Sequence, residues 1–402
     1  MIPDFRDVRF LVGEREGIGA VCDTPVLPLY DKGVISFLSD LSKEIIGDRA
    51  LKVYPDVIAL GYWLRKASLL REQRFIANCE SKIGRGVSFH IAPSNMPMQF
   101  VISMVPALLA GNICVIRVSA KRFEKTEILC EKIRKVLFEK HQELQQYLYI
   151  LQYDYNDEIT GWLSSICDVR VIWGGDSTIQ KIRQYPVSPR TVELTFSDRY
   201  SIAVINTDAI EEDGGDLTPV IDSFWLDTYF VDQSACSSPR LIAWVGRNQE
   251  AVRQNFWTLM DKKVAAEYSM EPVRMIDKLS NLTRMVMLEN NAKLHFDNAG
   301  VVRAEVTALD PKIMDYKCGS GCFFEYSCGT LDDIAPLVKD KRCQTVALYG
   351  IEPKAIKEMV YRYGARGVDR IVSIGKTNAP ELRWDGYTLV ESMSRYIEVE
   401  GE

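Results

Sequence analysis

Hydrophobic and polar positions alternate in blocks that change period along the chain. In Tyr54-Pro-Asp-Val-Ile-Ala-Leu-Gly-Tyr-Trp-Leu-Arg-Lys66, apolar residues recur at three- and four-residue spacing, and the first 80 residues read as mainly helical. Val87-Ser-Phe-His-Ile91 then reads as a short strand, broken by Ala92-Pro-Ser-Asn-Met-Pro97. A helical run over 98–110 stops at Gly111, a residue suited to a helix C-terminus. Ile113-Cys-Val-Ile-Arg-Val118 follows as a buried strand, and 122–139 as an amphipathic helix.

The alternation continues with a strand at 149–152, a helix at 158–166, a strand at 169–173 and a helix from Ser177. Strand and helix in turn at this spacing imply right-handed crossovers and an α/β fold, a parallel sheet with helices on both faces. A second unit of the same kind begins near Ser201-Ile-Ala-Val-Ile-Asn206. It runs through Arg240-Leu-Ile-Ala-Trp-Val245 and Ala347-Leu-Tyr349 to Arg370-Ile-Val372. The expected division is 1–200, a helical segment with a dinucleotide-binding domain, and 201–385, a catalytic domain. A tail, 386–402, is expected to return to the first domain. The acidic stretch 208–216 reads as a solvated surface loop.

Composition narrows the class. At 402 residues, with 47% hydrophobic and 26% charged positions, the chain has the make-up of a globular protein of two or three domains. A net charge of −6 argues against broad nucleic-acid binding, which needs a concentrated basic face. No apolar run approaches the roughly 18 residues of a membrane span. The N-terminus lacks the basic-then-apolar order of a signal peptide. Ten scattered cysteines show no disulfide rhythm, and the expected compartment is the cytoplasm.

Three segments carry candidate chemistry. Val171-Ile-Trp-Gly-Gly-Asp-Ser-Thr178 is a strand, a glycine pair (Gly174, Gly175) and a helix start, which suits a pyrophosphate or a plain strand-to-helix turn. The Gly-x-Gly-x-x-Gly and phosphate-loop fingerprints are both absent. In Ala92-Pro-Ser-Asn-Met-Pro97, Asn95 stands between two prolines, placed to donate its amide to an oxyanion or to satisfy a local turn. In Val231-Asp-Gln-Ser-Ala-Cys-Ser-Ser-Pro-Arg240, small residues flank Cys236 and leave room for a substrate carbonyl before a strand begins.

These pieces, in this order, resemble the aldehyde dehydrogenase superfamily. Within it they are most similar to the fatty acyl-CoA reductase family of bacterial luminescence type, LuxC-like. Ile91-Ala-Pro-Ser-Asn-Met-Pro97, Leu109-Ala-Gly-Asn112, Trp173-Gly-Gly-Asp176, Phe196-Ser-Asp-Arg-Tyr-Ser201, Asp232-Gln-Ser-Ala-Cys-Ser-Ser-Pro239, Asp369-Arg-Ile-Val-Ser-Ile-Gly375 and Trp384-Asp-Gly-Tyr387 carry the match over residues 50–395. The resemblance implies two Rossmann-like parallel-sheet domains. It also implies NADPH-dependent reduction of a long-chain fatty acyl thioester, from CoA or an acyl-protein, to the aldehyde through an acyl-Cys236 intermediate. Asn95 would hold the oxyanion. Glu193 falls near the superfamily's general base, although Glu-Leu-Thr-Phe-Ser replaces the usual Glu-Leu-Gly-Gly. Arg117, Ser119 and Lys121 occupy the adenosine-ribose region, where two cations favour NADPH over NADH. Gly174 and Gly175 would form the pyrophosphate turn, and Glu325 would meet the second ribose. An acyl-protein synthetase partner and self-association are also implied.

Rival readings are a reductase of small or polar acyl thioesters and a non-catalytic subunit that binds nucleotide or partner. A Cys-His hydrolase would need His90 or His295 brought to Cys236. A zinc site at Cys318, Cys322 and Cys328 lacks paired Cys-x2-Cys spacing, so no metal is expected.

Overall fold

The computed structural model describes residues 2–288, 292–316 and 319–400. The chain divides into two compact units, residues 1–197 with 380–402, and residues 198–379.

In the first unit the strands are β1 (Arg9–Val12), β2 (Lys82–Gly84), β3 (Val87–Ile91), β4 (Ile113–Val118), β5 (Leu148–Gln152), β6 (Val169–Trp173) and β7 (Val192–Phe196). Six of them form a sheet in the order β1-β5-β4-β3-β6-β7. From β5 to β7 neighbouring strands are parallel, and only β1 runs antiparallel. Every residue of β3, β5 and β6 is buried, which explains why they read as unbroken apolar runs rather than alternating ones.

The crossover helices Gln99–Leu109, Glu124–Lys140 and Asp157–Ile166 lie within a residue or two of the periodicity's boundaries. The helix read over Tyr54–Lys66 is shorter, Pro55–Trp63, with a second helix at Lys66–Gln73. Gly111 ends its helix at φ +83°, and a Cβ there would collide with the carbonyl of Leu27. Asn112 beside it accepts from the amides of Arg85 (2.7 Å) and Gly86 (3.2 Å) and donates to the carbonyl of Met393 (2.9 Å). The Leu109-Ala-Gly-Asn112 motif thus serves as a packing pin.

The second unit contains β8 (Tyr200–Asn206), β9 (Pro239–Val245), β10 (Lys293–Asn298), β11 (Val301–Glu305), β12 (Cys322–Ser327), β13 (Cys343–Tyr349) and β14 (Arg370–Ser373). Their order is β10-β11-β12-β9-β8-β13-β14, parallel except for the β10/β11 pair. Separate hydrophobic clusters cover its two faces, one around Phe324 and Met359 and the other around Trp244, Phe256 and Phe323. Part of the acidic stretch read as a loop is helical. Thr207–Glu212 forms a short helix because the Asn206 side chain accepts the amide of Asp208, and only Asp213 to Asp216 form the exposed turn.

Back in the first unit, β15 (Arg383–Trp384) and β16 (Tyr387–Thr388) form a hairpin on Asp385-Gly386, both at positive φ. β17 (Ser394–Tyr396) pairs with β2. Among the described residues no helix is long and apolar enough to cross a membrane.

Candidate active site

In the first unit the chain winds outward from β3 to β5, then returns to place β6 on the other side of β3. The loops leaving β3 and β6 therefore diverge, and a crevice opens outside the carboxyl ends of these strands. Ala92 to Asn95 follow β3, and Gly174-Gly175 follow β6. A cavity of about 780 Å³ opens there, lined by Asn95, Arg117, Ser119, Lys121, Gly174 and Gly175 together with Tyr153, Tyr155, Trp173 and Lys181. Six residues picked from separate sequence segments thus share one wall system. The topology brings them together, because each follows or ends one of three adjacent parallel strands.

Aromatic and cationic side chains alternate around the cavity. Arg117 donates to the carbonyl of Tyr153 (3.3 Å), and its guanidinium lies over the rings of Tyr153 (5.5 Å) and Tyr155 (6.0 Å). Lys181 approaches the exposed Tyr155 ring at 3.8 Å. The backbone amide of Lys121 donates to Ser119 Oγ (3.2 Å), so the turn after β4 is closed locally while the lysine side chain is exposed. Trp173 stacks on Phe196 at 3.6 Å and donates its indole N–H to Ser103 (2.9 Å), whose hydroxyl meets His90 Nδ1 at 2.6 Å. Burial pushes His90 down to about 3, so its ring is neutral, and complete enclosure removes it from any role as a base. Lys181, Tyr153 and Tyr155 were not legible as site residues. The signal available was a lysine in the first helix after a glycine pair.

Glu193 is placed differently. It sits on β7, where Oε2 receives Arg170 Nε (2.8 Å) and Nη2 (2.5 Å), and Oε1 receives Arg183 Nε (2.7 Å). Burial works to raise its pKa, but the two guanidiniums outweigh it and hold the carboxyl below its ordinary range. Both oxygens are committed, so the arrangement is that of a structural ion pair. Glu325, expected to meet the second ribose, is also engaged by neighbouring side chains. It has no exposed surface and lies inside the second unit. There it accepts the indole N–H groups of Trp244 (2.9 Å) and Trp257 (2.7 Å) and a guanidinium N–H of Arg303 (3.0 Å).

Cys236 lies in the second unit, in a loop between the helix Thr218–Asp227 and β9. That loop is tied at nearly every residue. Asp232 and Gln233 both take left-handed backbone conformations, at φ +53° and +54°. Such strain persists only where the surroundings over-determine it. The Gln233 amide does so: Nε2 donates to the carbonyls of Pro239 (2.9 Å) and Cys322 (3.2 Å), and Oε1 accepts from the amides of Gly321 (3.0 Å) and Cys322 (3.3 Å). Asp232 takes Tyr268 OH at 2.8 Å, and Arg274 reaches Ser234 Oγ at 3.1 Å.

Of the described cysteines in the second unit, Cys236 alone is not buried; Cys322, Cys328 and Cys343 are enclosed. Burial pushes the thiols of Cys328 and Cys343 up to about 12. In the first unit, burial raises Cys167 to about 12 and drives Cys114 and Cys130 higher still. Cys318, part of the zinc reading, lies outside the described residues.

Residues 64–396 match the family described as acyl-CoA reductase (LuxC). The chain belongs to the LuxC acyl-CoA reductase family. Among curated relatives, the long-chain acyl-protein thioester reductase of Aliivibrio fischeri is 23% identical over 300 residues, 73% of this chain and 59% of its own length. That of Photorhabdus luminescens is also 23% identical, over 78% of this chain and 63% of its own length. That of Photobacterium phosphoreum is 27% identical over 42% of this chain and 33% of its own. The chain thus spans at most about three fifths of these curated relatives.

Solved structures with the same fold include an NAD-dependent aldehyde dehydrogenase from Sinorhizobium meliloti, with a TM-score of 0.61 and 13% identity over 90% of this chain and 78% of that one. An NAD-dependent benzaldehyde dehydrogenase from Corynebacterium glutamicum gives 0.62 and 11% over 95% and 87%. PnpE in complex with nicotinamide adenine dinucleotide gives 0.65 and 13% over 96% and 90%. The fold is that of the aldehyde dehydrogenases.

Proposed function

We propose that this family member reduces a long-chain fatty acyl thioester to the aldehyde, using a nicotinamide dinucleotide held in the first unit and Cys236 in the second. The observation that carries the reading is Cys236 itself, the one unburied thiol among the described cysteines of its unit, in a loop fixed by a fully used glutamine amide.

The cavity fits the cofactor. Its volume is that of a small-molecule site. Arg117, Lys121 and Lys181 supply positive charge, and exposed Tyr155 offers a flat face. Two arms of that charge, Arg117 and Lys121, support a preference for a 2′-phosphate and hence for NADPH. Gly174 and Gly175 carry no side chain at the end of β6, so backbone can approach a pyrophosphate. Bound there, the reduced nicotinamide supplies hydride.

The protein's own part is covalent. The Cys236 thiolate attacks the thioester carbonyl, and the C–S bond to the carrier breaks. The carrier leaves as a thiolate and takes from solvent the proton that Cys236 gave up on ionising, and the acyl group remains on Sγ. After reduction, the Cys236 thiohemiacetal gives up its hydroxyl proton and breaks its C–S bond, releasing the aldehyde and restoring the thiol. Asn95 is assigned the oxyanion, donating its side-chain amide. A thioester leaves readily, so the chemistry makes little demand on a general base, in keeping with Glu193 being held by two arginines.

The test is incubation with radiolabelled acyl-CoAs of graded length without cofactor, mapping of the adduct by mass spectrometry, then addition of NADPH and assay of aldehyde. Adduct at Cys236 and its discharge as aldehyde are expected. Acylation elsewhere would overturn the assignment of the nucleophile, and no acylation by any thioester would overturn the activity.

A further inference from the structure

We propose that Asn378, with Asp227 behind it, is a positioning residue that sets the backbone of Cys236; the proposal rests on the reading of Cys236 as the nucleophile. Asn378 stands 142 positions from Cys236 in the sequence and makes no contact that its own neighbours would predict. Its side chain links the end of one helix to the residue after the thiol. Nδ2 donates to the carbonyls of Asp227 (2.9 Å) and Leu226 (3.3 Å). Oδ1 accepts the hydroxyl of Ser237 at 2.8 Å. Ser237 is the residue that follows Cys236, and it is buried, so its hydroxyl needs this partner.

The segment that carries Asn378 is itself held in place. After β14 the chain turns at Gly375 (φ +92°), so close to the helix Thr218–Asp227 that a Cβ would lie 3.0 Å from Ser223 Cβ. The Asp227 carboxylate has no exposed surface and accepts the amides of Gly375 (2.6 Å) and Thr377 (2.9 Å). Arg370 fixes the carbonyl of Thr377 at 2.7 Å. The position of residue 378 is therefore decided by a carboxylate and a guanidinium on either side of the turn. The amide then transmits that position to Ser237.

The backbone of Cys236 itself is fixed by a separate bond, from the hydroxyl of Ser201 to the carbonyl of Cys236. Two anchors from different elements leave the thiol's backbone little freedom. Attack on a carbonyl needs the sulfur within a few tenths of an ångström of its productive place, so an anchor of this kind acts on the rate of acylation rather than on the affinity for the thioester.

The test is single-turnover acylation of the full chain by hexadecanoyl-CoA, followed by mass spectrometry, in the wild type, Cys236→Ala, Asn378→Ala, Ser237→Ala and the Asn378→Ala/Ser237→Ala double variant. Each single variant is expected to acylate on the order of ten- to a hundredfold more slowly at saturation. The half-saturating concentration should move by less than about twofold. The double variant should lose no more than Asn378→Ala alone, because the bond that Ser237→Ala removes is one that Asn378→Ala already removes. Folded variants that acylate at the wild-type rate, or losses that multiply, would overturn the proposal. Adduct that survives Cys236→Ala overturns the nucleophile assignment and this proposal with it. If Asn378→Ala does not fold, Ser237→Ala decides by the same rate and saturation measurements.

Discussion

Ser201 donates its hydroxyl to the backbone carbonyl of Cys236 at 2.7 Å. The serine is the second residue of β8, an interior strand of the second unit's sheet, and has no exposed surface, so this bond ties the loop to the buried sheet. Ser201→Ala leaves the carbonyl without that donor and should cost roughly 1–3 kcal/mol of stability, read from urea unfolding. Iodoacetamide alkylation of Cys236 should also change rate in the folded variant. Unaltered stability together with unaltered alkylation would show that the bond fixes nothing.

Thiol burial predicts a strong ranking of cysteine reactivity. With the thiols of Cys167, Cys328 and Cys343 raised to about 12 and their sulfurs enclosed, almost none is thiolate at pH 7.5. A brief pulse of a maleimide at that pH should label Cys236 and leave these three unmodified, as peptide mapping would show. Labelling of Cys328 or Cys343 at the rate of Cys236 would contradict the enclosure of the second unit's core.

Glu193 makes a sharp test of what sequence position implies. Arg170 is almost fully buried, so Glu193→Ala would leave a guanidinium without its carboxylate, at a cost of about 3–5 kcal/mol. Chemical denaturation should register that loss, and aldehyde formation per folded molecule should be unchanged. A base would behave in the opposite way, with stability kept and turnover lost.

These outcomes bear on how much the residues disclosed unaided. The crossover pattern was legible because β3 to β6 are buried on both faces and read as apolar runs between amphipathic helices. The edge strands β1, β7 and β10 were not, because half-exposed edges carry mixed residues that no short window separates from a loop. Arg117, Lys121 and Gly174 were legible as a group because strand ends in a parallel sheet converge. The surroundings of Glu325 were not legible, because they are two tryptophans and an arginine contributed by positions 22 to 81 residues away. Asn378 could not be found by any motif, since its partners come from a helix and a loop more than 130 residues earlier.

Asp227 predicts the pH dependence of stability. Burial raises its carboxyl from 3.8 to about 6, against the lowering effect of the Gly375 and Thr377 amides and of Arg370. A raised pKa means the folded state binds the proton more tightly than the unfolded chain does. Its contribution is therefore full below about 4 and is lost as pH rises through about 6. Urea midpoints taken from pH 4 to pH 7 should contain a falling component over that window in the wild type. Asp227→Asn, which cannot titrate, should lack it. A component of the same size in the variant would assign it to other groups.

The cationic lining of the first unit's cavity predicts cofactor choice. Arg117 is held by the carbonyl of Tyr153, whereas Lys121 extends into solvent and Lys181 lies on the exposed Tyr155 ring. A 2′-phosphate carries about −1.5 to −2 charges near neutral pH and gains from each cation, while a ribose hydroxyl gains from none. Replacing Arg117 and Lys121 with glutamine should therefore raise the KM for NADPH by on the order of tenfold or more, with the KM for NADH nearly constant. Lys181→Gln separates two roles for the third cation. A selective rise for NADPH would place it on the phosphate. An equal rise for both cofactors would instead fit a lysine that holds Tyr155 as a shelf for the adenine common to both. Equal effects of the Arg117 and Lys121 replacements on the two cofactors would remove the case for NADPH.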